Sequence, residues 1–321
     1  MWINAARAYL SGPRGTVGRR EGIRVFYYHG LVERKTDSLL ERNFDLLSDF
    51  RSHIRLLRRF RILGLSELAD ELSAPGKRFK SAAVVTFDDG FANNLLAAEI
   101  MAAARLPWCA FICTGVVGRD NSTWPEELAL LMLHGQLEQV EALDRIWWLR
   151  SRNQREAAFE AILVRLKAMP SALRRQTMDC IRQQFPNGET WRLLHKFPSM
   201  RMLSWEEVGQ LAHGGAEVGS HGVEHEIHHM NQPALTRRIE LSQSKAELEQ
   251  RLLRPCAFFA FPNGDFTPTS PSEVRAAGYD LAFTTEEDTI KRAANPYLLP
   301  RLYPSGPLRR FTQDFFWVPV D

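Results

Sequence analysis

The sequence is poor in cysteine, and the few cysteines that it has are not closely paired. They number four in 321 residues: Cys109, Cys113, Cys180 and Cys256. No C-x-x-C pair occurs, and Cys109 and Cys113 fall in one predicted strand at a spacing that does not suit a local disulfide. We therefore expect reduced thiols, as in a reducing compartment.

Long apolar runs are absent as well. No segment reaches the roughly 18 uninterrupted apolar residues of a membrane span, and residues 1–13 lack the charged region and apolar core of a secretory signal. We therefore expect a cytoplasmic protein. Trp2, Ile3 and Leu10 leave two interpretations of the amino terminus open: a short amphipathic contact at the periphery of a membrane, or a docked or disordered end.

A marked excess of charge of one sign is the third missing feature. The 41 lysines and arginines are nearly balanced by 38 aspartates and glutamates, so the net charge is +3. This balance gives no case for a nucleic acid as partner. One predicted helix face is locally cationic, with Arg51, Arg55, Arg58 and Arg59. The pattern fits a solvated surface, and it also fits attraction to an anionic lipid or a sugar phosphate.

What the sequence does contain is a regular alternation of strand-like and helical segments, with 45% hydrophobic residues to form a core. Strands are predicted at residues 23–28, 82–87, 107–113, 216–219, 256–261, 281–284 and 297–303. Helices are predicted at residues 39–60, 66–72, 91–105, 204–213, 233–253 and 271–277. Ser204, with Glu207 three residues later, predicts a capping box at the start of one of them. The alternation predicts an α/β fold with a parallel sheet that closes into a barrel.

The domain organisation follows from the same pattern. Residues 1–21 form a predicted N-terminal extension, and residues 22–321 form the barrel. Between about 121 and 200 the β pattern stops and helical composition predominates. The predicted helical segments there are 125–135, 138–167 and 171–184. We interpret this region as a helical insertion that lines a substrate groove, binds a partner, or packs with a solvated charged face.

Two adjacent aspartates, Asp88 and Asp89, follow a buried apolar strand. Adjacent carboxylates repel each other, so this position is best explained when a cation or a proton resolves the conflict. Far downstream, His221 and His225 are four residues apart, a spacing that would put both imidazoles on one side of a helical turn. Imidazole and carboxylate groups together suit zinc or a related divalent ion.

Three motifs in a fixed order make the chain resemble a known family. They are T-F-D-D-G at residues 86–90, H-x-x-x-H at 221–225 and F-P-N-G at 261–264. In this order they resemble the motifs of polysaccharide deacetylases with a NodB homology domain, carbohydrate esterase family 4. The resemblance covers about residues 22–118 and 200–305. It implies a distorted (β/α) barrel of the NodB type, whose strand ends share one mouth.

The resemblance also implies roles for the acidic and imidazole groups. Asp89, His221 and His225 would bind a divalent metal, with zinc expected and cobalt, nickel or manganese as alternatives. Asp88 would be the general base that takes a proton from water. For one of the two aspartates, the structural alternative is a helix N-cap.

The turn of the third motif would form an oxyanion site. Pro262, Asn263 and Gly264 match the family turn in which the backbone amide, here of Asn263, binds the oxyanion. The chain departs from the commonest family pattern two residues before the proline, where many relatives have arginine and this chain has Ala260. Arg301 is the candidate replacement as partner of the base, and a structural ion pair is its alternative role.

The acid that protonates the leaving amine is the second departure. Many relatives have leucine, any residue, then histidine near the carboxyl terminus, but residues 298–302 contain no histidine. The Y-Y-H-G string at residues 27–30 resembles the motif of permuted relatives, so His29 is the candidate acid. Its alternative is a histidine that supports the site or is buried for structural reasons. The remaining histidines are expected at the surface: His53, His134, His195, His213, His228 and His229.

We therefore expect a metal-dependent hydrolase that removes an N-acetyl or other N-acyl group from an amino sugar. The implied partner is an acetylated amino-sugar glycan or a glycoconjugate precursor, as in the synthesis of cell-envelope polysaccharide. Two alternatives stay open: a deacylase or deformylase of a lipid-linked or nucleotide-linked sugar, and a catalytically inactive barrel that binds glycan. Groove loops and the insertion set the choice of sugar and linkage.

Overall fold

The computed structural model describes residues 22–74, 82–304, 306–308 and 310–311. The predicted extension, with Trp2, Ile3 and Leu10, lies outside the described residues. The strands are β1 (Ile23–Tyr28), β2 (Gly30–Val32), β3 (Phe44–Leu46), β4 (Ala82–Phe87), β5 (Cys109–Ile112), β6 (Gln139–Ala142), β7 (Arg145–Trp148), β8 (Glu217–Ser220), β9 (Phe258–Ala260) and β10 (Leu281–Phe283). The helices are α1 (Leu47–Leu57), α2 (Leu65–Ser73), α3 (Asn94–Ala104), α4 (Trp124–His134), α5 (Arg152–Lys167), α6 (Ser171–Gln184), α7 (Glu189–Lys196), α8 (Trp205–His213), α9 (Ala234–Leu252) and α10 (Ser270–Ala276).

Within the described part of the chain, six strands form the central sheet, in the order β1, β4, β5, β8, β9, β10, and every neighbouring pair is parallel. Two small sheets lie beside it: β2 pairs with β3, and β6 pairs with β7. Parallel neighbours need long crossover connections, and here helices fill them. The predicted α/β fold with a parallel sheet is confirmed.

The carboxyl-terminal segment joins the two edges of this sheet. Leu299 pairs with Phe283 of β10, and Leu302 pairs with Phe26 of β1, each through a single parallel bridge. The sheet therefore curls into a distorted (β/α) barrel, as expected. The last predicted strand is not a continuous strand, however, because Pro300 has no N–H to donate to a ladder.

Strand β4 is buried on both faces, as strands of parallel sheets usually are. Val84 of β4 belongs to the apolar cluster inside the barrel, together with Phe111 and Phe283 from other strands. The next residue, Val85, belongs to the cluster between the sheet and the helices, which includes Phe50 of α1. This continuous burial explains why the strand is apolar except at Thr86, whose hydroxyl donates to the Phe26 carbonyl (3.0 Å).

The strand registers bring the candidate site residues to one rim of the barrel. The last residues of β1 and β4 are paired, so His29 and Asp88 leave the sheet side by side. Ser220, the last residue of β8, is paired with both neighbouring strands, so His221 leaves the sheet at the same edge. In barrels of parallel strands, this carboxyl-terminal edge is where functional groups gather.

One helix begins as its capping signal predicts. The Ser204 hydroxyl accepts a hydrogen bond from the Glu207 amide (3.2 Å), and the Glu207 carboxylate accepts one from the Ser204 amide (2.8 Å). These reciprocal bonds satisfy amides that have no partner within the helix. Helix α8 therefore follows the predicted capping box.

The helix predicted at residues 39–60 begins later than expected, at Leu47. The Asp37 carboxylate accepts hydrogen bonds from the amides of Leu39 and Leu40 (2.9 and 3.0 Å). Such local bonds compete with helix formation. Strand β3 then pairs with β2, so the first third of the predicted helix forms a turn and a strand instead.

Between residues 121 and 200, helices α4 to α7 and the β6–β7 hairpin surround a separate apolar cluster. The single helix predicted at residues 138–167 is wrong in its first half, where the hairpin lies. Leu143 and Asp144 have φ values of 57° and 61°, as both central residues of a type I′ turn require. The Ile-Trp-Trp sequence of β7 also favours a strand.

None of the helices in the described part of the chain combines the length and the apolar composition that a membrane crossing requires. Cys109, Cys113 and Cys256 are buried, Cys180 is exposed, and all four thiols are free. The cysteine spacing correctly predicted that Cys109 and Cys113 are not joined.

Candidate metal centre

Three side chains from the two halves of the chain meet at the mouth of the barrel: Asp89, His221 and His225, here called the ligand cluster. Asp89 Oδ1 lies 3.3 Å from His221 Nε2 and 3.4 Å from His225 Nε2. The three ligand atoms lie within 4.8 Å of one another. Asp89 Oδ1 is buried and has no hydrogen-bond partner among the described residues. A carboxylate oxygen without a hydrogen-bond donor, between two imidazole nitrogens, fits a divalent cation.

The orientation of His221 is set by a backbone carbonyl. Its Nδ1 donates a hydrogen bond to the carbonyl oxygen of Ala260, the last residue of β9 (2.8 Å). The proton of the neutral ring is therefore on Nδ1, and the Nε2 lone pair faces Asp89. Metal-binding histidines are commonly held in this way by a second hydrogen bond.

The two histidines do not lie on a helical turn, so that prediction is wrong. The His221 amide continues the strand ladder by donating to the carbonyl of Ile112 (2.9 Å). The chain then turns through Gly222 and His225, whose φ values of 82° and 54° are incompatible with an α-helix. The imidazole rings nevertheless converge, with centroids 5.2 Å apart, because the loop folds back on itself.

The protonation states of the cluster suit a cation. Burial lowers the pKa of His225 to about 3, so its imidazole is neutral near pH 7. Burial raises the pKa of Asp89, but contacts with the neighbouring imidazoles outweigh it, and the net shift is downward. Burial also opposes a charge on His221, yet Asp88 and Asp89 raise its pKa. A positive charge, from a proton or a metal ion, is therefore favoured beside these two carboxylates.

Asp88 has a different partner from its neighbour. Both oxygens of Asp88 accept hydrogen bonds from the Arg301 guanidinium, at 2.7 Å each, and both side chains are buried. Arg301 Nε donates to the Thr284 carbonyl (3.0 Å), and its guanidinium carbon lies 4.6 Å from the Tyr27 ring centroid. Burial raises the pKa of Asp88, but Arg301 more than offsets it, so the net shift is downward. Arg301 thus contacts the carboxylate that the sequence predicts as its partner.

The turn at Pro262–Gly264 lies next to β9 and has a strained centre. Asn263 has φ 60° and ψ 0°, and its side-chain oxygen accepts a hydrogen bond from Lys167 Nζ (2.5 Å). Gly264 also has a positive φ, and a Cβ there would collide with the Thr285 hydroxyl. The F-P-N-G sequence therefore specifies a turn that neighbouring side chains hold in place.

His29 lies at the same rim. Its Nδ1 is buried and has no hydrogen-bond partner among the described residues, while its carbonyl accepts from Asn94 Nδ2 (2.7 Å). The ring lies beside the rings of Tyr27 and Tyr303, at centroid distances of 5.8 and 6.5 Å. Burial raises the pKa of Asp89, whereas His221 and, next in size, His29 lower it. His29 is therefore close enough to the cluster to interact with it electrostatically.

Three residues of the site have strained backbone conformations. Asp89, His225 and Asn263 have φ values of 72°, 54° and 60°, in the left-handed region that side chains other than glycine seldom adopt. Such conformations cost free energy and persist where surrounding contacts enforce them, which happens often at functional sites. Two ligand-cluster residues and the turn residue share this property.

The insertion adds side chains that the sequence did not predict. Trp124 Nε1 donates to the His225 carbonyl (3.1 Å), and Lys167 contacts Asn263 as described above. Burial, with the charge of the cluster aspartate, raises the pKa of Glu126 to about 8. These residues match no motif, and their contacts span about a hundred positions. No local pattern marks them.

Two histidines that were expected at the surface are buried. His228 lies between the rings of Phe259 and Phe261, with centroids 5.7 and 5.4 Å away, and burial lowers its pKa to about 3. His53 on α1 accepts a hydrogen bond from the Tyr28 hydroxyl (3.2 Å). Aromatic residues that are distant in sequence cover both rings, so local context could not reveal their burial.

Comparison with known families agrees with the motifs. Residues 170–282 match the sequence profile described as "Polysaccharide deacetylase". This match includes both histidines and the Pro262–Gly264 turn, whereas Asp88 and Asp89 precede it. It confirms the predicted resemblance and supports N-deacetylation of a carbohydrate. No curated protein matches the chain.

Solved structures of deacetylases share the fold. Streptococcus pyogenes deacetylase PplD, in complex with acetate, has a TM-score of 0.59 and 15% identity, over 91% of this chain and 97% of that one. IcaB from Ammonifex degensii has a TM-score of 0.59 and 16% identity, over 92% and 97%. A de-N-acetylase from Aggregatibacter actinomycetemcomitans has a TM-score of 0.53 and 13% identity, over 92% and 99%. The chain therefore has the barrel fold of NodB-type deacetylases.

Proposed function

We propose that this chain, which carries a polysaccharide deacetylase profile on a NodB-type barrel, is a divalent-metal-dependent hydrolase. It removes an N-acetyl group from an amino sugar of a polysaccharide or of a glycoconjugate precursor. The proposed ligands are Asp89, His221 and His225, with zinc as the proposed metal.

One observation carries the proposal: adjacent carboxylates have different partners. Asp88 is bound on both oxygens by Arg301, whereas Asp89 Oδ1 faces two imidazole nitrogens without a hydrogen-bond donor. A structural N-cap would explain neither arrangement. A base beside a metal ligand explains both, because the two carboxylates then need different environments.

Asp88 is the proposed general base. A divalent cation at the ligand cluster supplies Lewis acidity, which polarises an acyl carbonyl and lowers the pKa of water. Asp88 takes the proton of the attacking water, and Arg301 keeps this carboxylate ionised despite its burial. Because Arg301 binds both Asp88 oxygens, it also fixes the direction from which the base acts.

The other side of the reaction needs a hydrogen-bond donor and an acid. The Asn263 amide is the proposed donor to the oxyanion that forms on the acyl carbon. His29 is the proposed acid: it gives a proton to the nitrogen as the carbon–nitrogen bond breaks, so that amide and water yield acetate and a free amine. The position of His29 beside Asp88 at the rim supports this role.

The experiment that tests the proposal is acetate release from acetylated amino-sugar oligosaccharides, with zinc or cobalt added. We expect turnover by the wild type and a loss of at least about a hundredfold in Asp88→Asn. The exposed Asp120 provides the matched control, since Asp120→Asn makes the same chemical change away from the site. Equal release by wild type and Asp88→Asn would reject Asp88 as the base. Release by neither protein above background would favour a barrel that only binds glycan.

The substrate class is tested in the same assay. We expect release from acetylated oligosaccharides of a polymer. A protein that is silent with polymer fragments but active with a lipid-linked or nucleotide-linked amino sugar would instead be a deacylase of a carrier-linked precursor. Formate release from the matching formylated sugars would identify a deformylase.

A further inference from the structure

The loop that carries His225 is held from two sides. On the barrel side, Glu240 of α9 accepts hydrogen bonds from the amides of Val223 and Glu224, at 2.7 and 3.1 Å. On the other side, Trp124 Nε1 of α4 donates to the carbonyl of His225 itself (3.1 Å). The insertion therefore contacts the backbone of a ligand-cluster residue directly.

The residue after His225 is fixed by a buried ion pair. Nη2 of Arg174, on α6, lies 2.5 Å from Oε1 of Glu226, and the two side chains are 1% and 0% exposed. Glu226 also accepts a hydrogen bond from Gln232 (2.7 Å). The guanidinium carbon of Arg174 lies 4.7 Å from the ring centroid of Trp124. Helices α4 and α6 thus hold two consecutive residues of the loop, His225 and Glu226. The two side chains that hold them, Trp124 and Arg174, also contact each other.

A buried ion pair adds little net stability compared with apolar residues of the same volume. Its main physical effect here is to fix geometry, because charged groups removed from water tolerate few arrangements. The residue that it adjoins needs such support: His225 has φ 54°, a strained conformation for histidine. Without contacts at the carbonyl and at Glu226, relaxation of this backbone would rotate the imidazole away from Asp89.

We propose that Trp124 and the Arg174–Glu226 pair are positioning residues for His225, so that the insertion sets the metal affinity of the site. The proposal rests on the metal centre of the proposed function. It does not require that the metal-loaded protein deacetylates any particular sugar.

The test is zinc affinity, measured on the full chain by competition with a chromogenic chelator. Trp124→Phe keeps an aromatic six-membered ring but removes the pyrrole ring with its N–H, and we expect about tenfold weaker zinc binding. The matched control is Trp147→Phe in the same insertion, where Trp147 Nε1 donates to the Ala142 carbonyl within the hairpin (2.9 Å). This control loses the same kind of hydrogen bond, and its zinc affinity should not change.

A second variant, Arg174→Lys, keeps a positive charge for Glu226 and loses the planar group beside Trp124. We expect a smaller loss of zinc affinity than in Trp124→Phe, and faster amide hydrogen exchange at residues 222–226 in both variants. These two readouts separate positioning from a general loss of folding, which thermal unfolding of each apo variant monitors.

Unchanged zinc affinity in folded Trp124→Phe would overturn the proposal, and so would an equal loss in Trp147→Phe. A wild type that binds no zinc would overturn the proposal, and it would also reject the ligand cluster as a metal site. A wild type that binds zinc with the expected variant pattern, but releases no acetate, would leave the positioning residues standing and reject the proposed function. If Trp124→Phe does not fold, Arg174→Lys decides by the same criteria.

Discussion

The barrel and the insertion contribute to one site in different ways. The barrel provides ionisable groups directly after its strands, such as Asp88, Asp89 and His221. The insertion provides groups that hold loops, such as Trp124 on the His225 carbonyl and Lys167 on the Asn263 side chain. Reactive groups therefore follow the strand ends, while a separate element fixes the loops that complete the site.

The largest expected effect is on the barrel side, in Asp89→Ala. This change removes the carboxylate of the ligand cluster, and we expect loss of bound zinc and a fall of at least about a thousandfold in kcat/KM. Elemental analysis and acetate release provide the measurements, with Asp120→Ala as the control. Zinc retained at full stoichiometry in Asp89→Ala would contradict this division of roles, since metal binding would then not depend on the barrel rim.

Arg301→Met is expected to have the next largest effect, because it leaves Asp88 buried and unpaired. Breaking a buried pair costs about 3–5 kcal/mol of unfolding free energy, which urea denaturation measures. The change removes the largest influence that lowers the pKa of Asp88, so the acidic limb of the kcat/KM profile should move to higher pH.

The sign of the stability change with pH follows from the same pair. In the wild type the pKa of Asp88 is lowered, so the contribution of the pair is present above the ordinary carboxyl pKa and is lost as the pH falls through the folded value. In Arg301→Met, acidification should destabilise the protein less than it destabilises the wild type, because the pKa of Asp88 is no longer lowered by the guanidinium. An acidic limb at the same pH in both proteins would reject Asp88 as the base.

His29→Ala is expected to lower turnover of the amide substrate by about a hundredfold, since the leaving amine would lack its acid. An aryl acetate, whose leaving group needs no proton, provides the internal control. The variant should hydrolyse it nearly as fast as the wild type. An equal loss with both substrates would assign His29 to support of the site and not to proton transfer.

Lys167 of the insertion is expected to affect turnover but not metal binding. In Lys167→Met, loss of the hydrogen bond to Asn263 should lower kcat about tenfold, with zinc affinity unchanged. The exposed Lys291 provides the matched control, Lys291→Met. Loss of zinc affinity in Lys167→Met would contradict a separation between insertion residues that act on the turn and those that act on His225.

The sequence allowed the barrel to be predicted because its strands are short apolar runs that end in polar residues. The bounds of β1 and β4 agree with the prediction, since β4 is buried at every position and β1 at four of its six. The same reasoning failed at the last predicted strand, where Pro300 prevents a ladder. It also failed at the histidine motif, where Gly222 turns the chain out of the predicted helix.

The insertion was harder to predict for a physical reason. Helical composition correctly indicated α6, whose bounds agree with the prediction, but it concealed the β6–β7 hairpin. The groups that reach the site do so through tertiary contacts, such as that of Trp124 with His225, 101 positions away. Periodicity and motifs describe local geometry, so they carry no information about such a contact.

The central claim is that one aspartate and two histidines bind a divalent ion, and X-ray absorption at the zinc edge tests it most directly. Zinc-loaded wild type should show two imidazole ligands at about 2.0–2.1 Å with oxygen completing the shell, and His225→Ala should show one imidazole. A wild type that retains no zinc, or an unchanged spectrum in His225→Ala, would contradict the account.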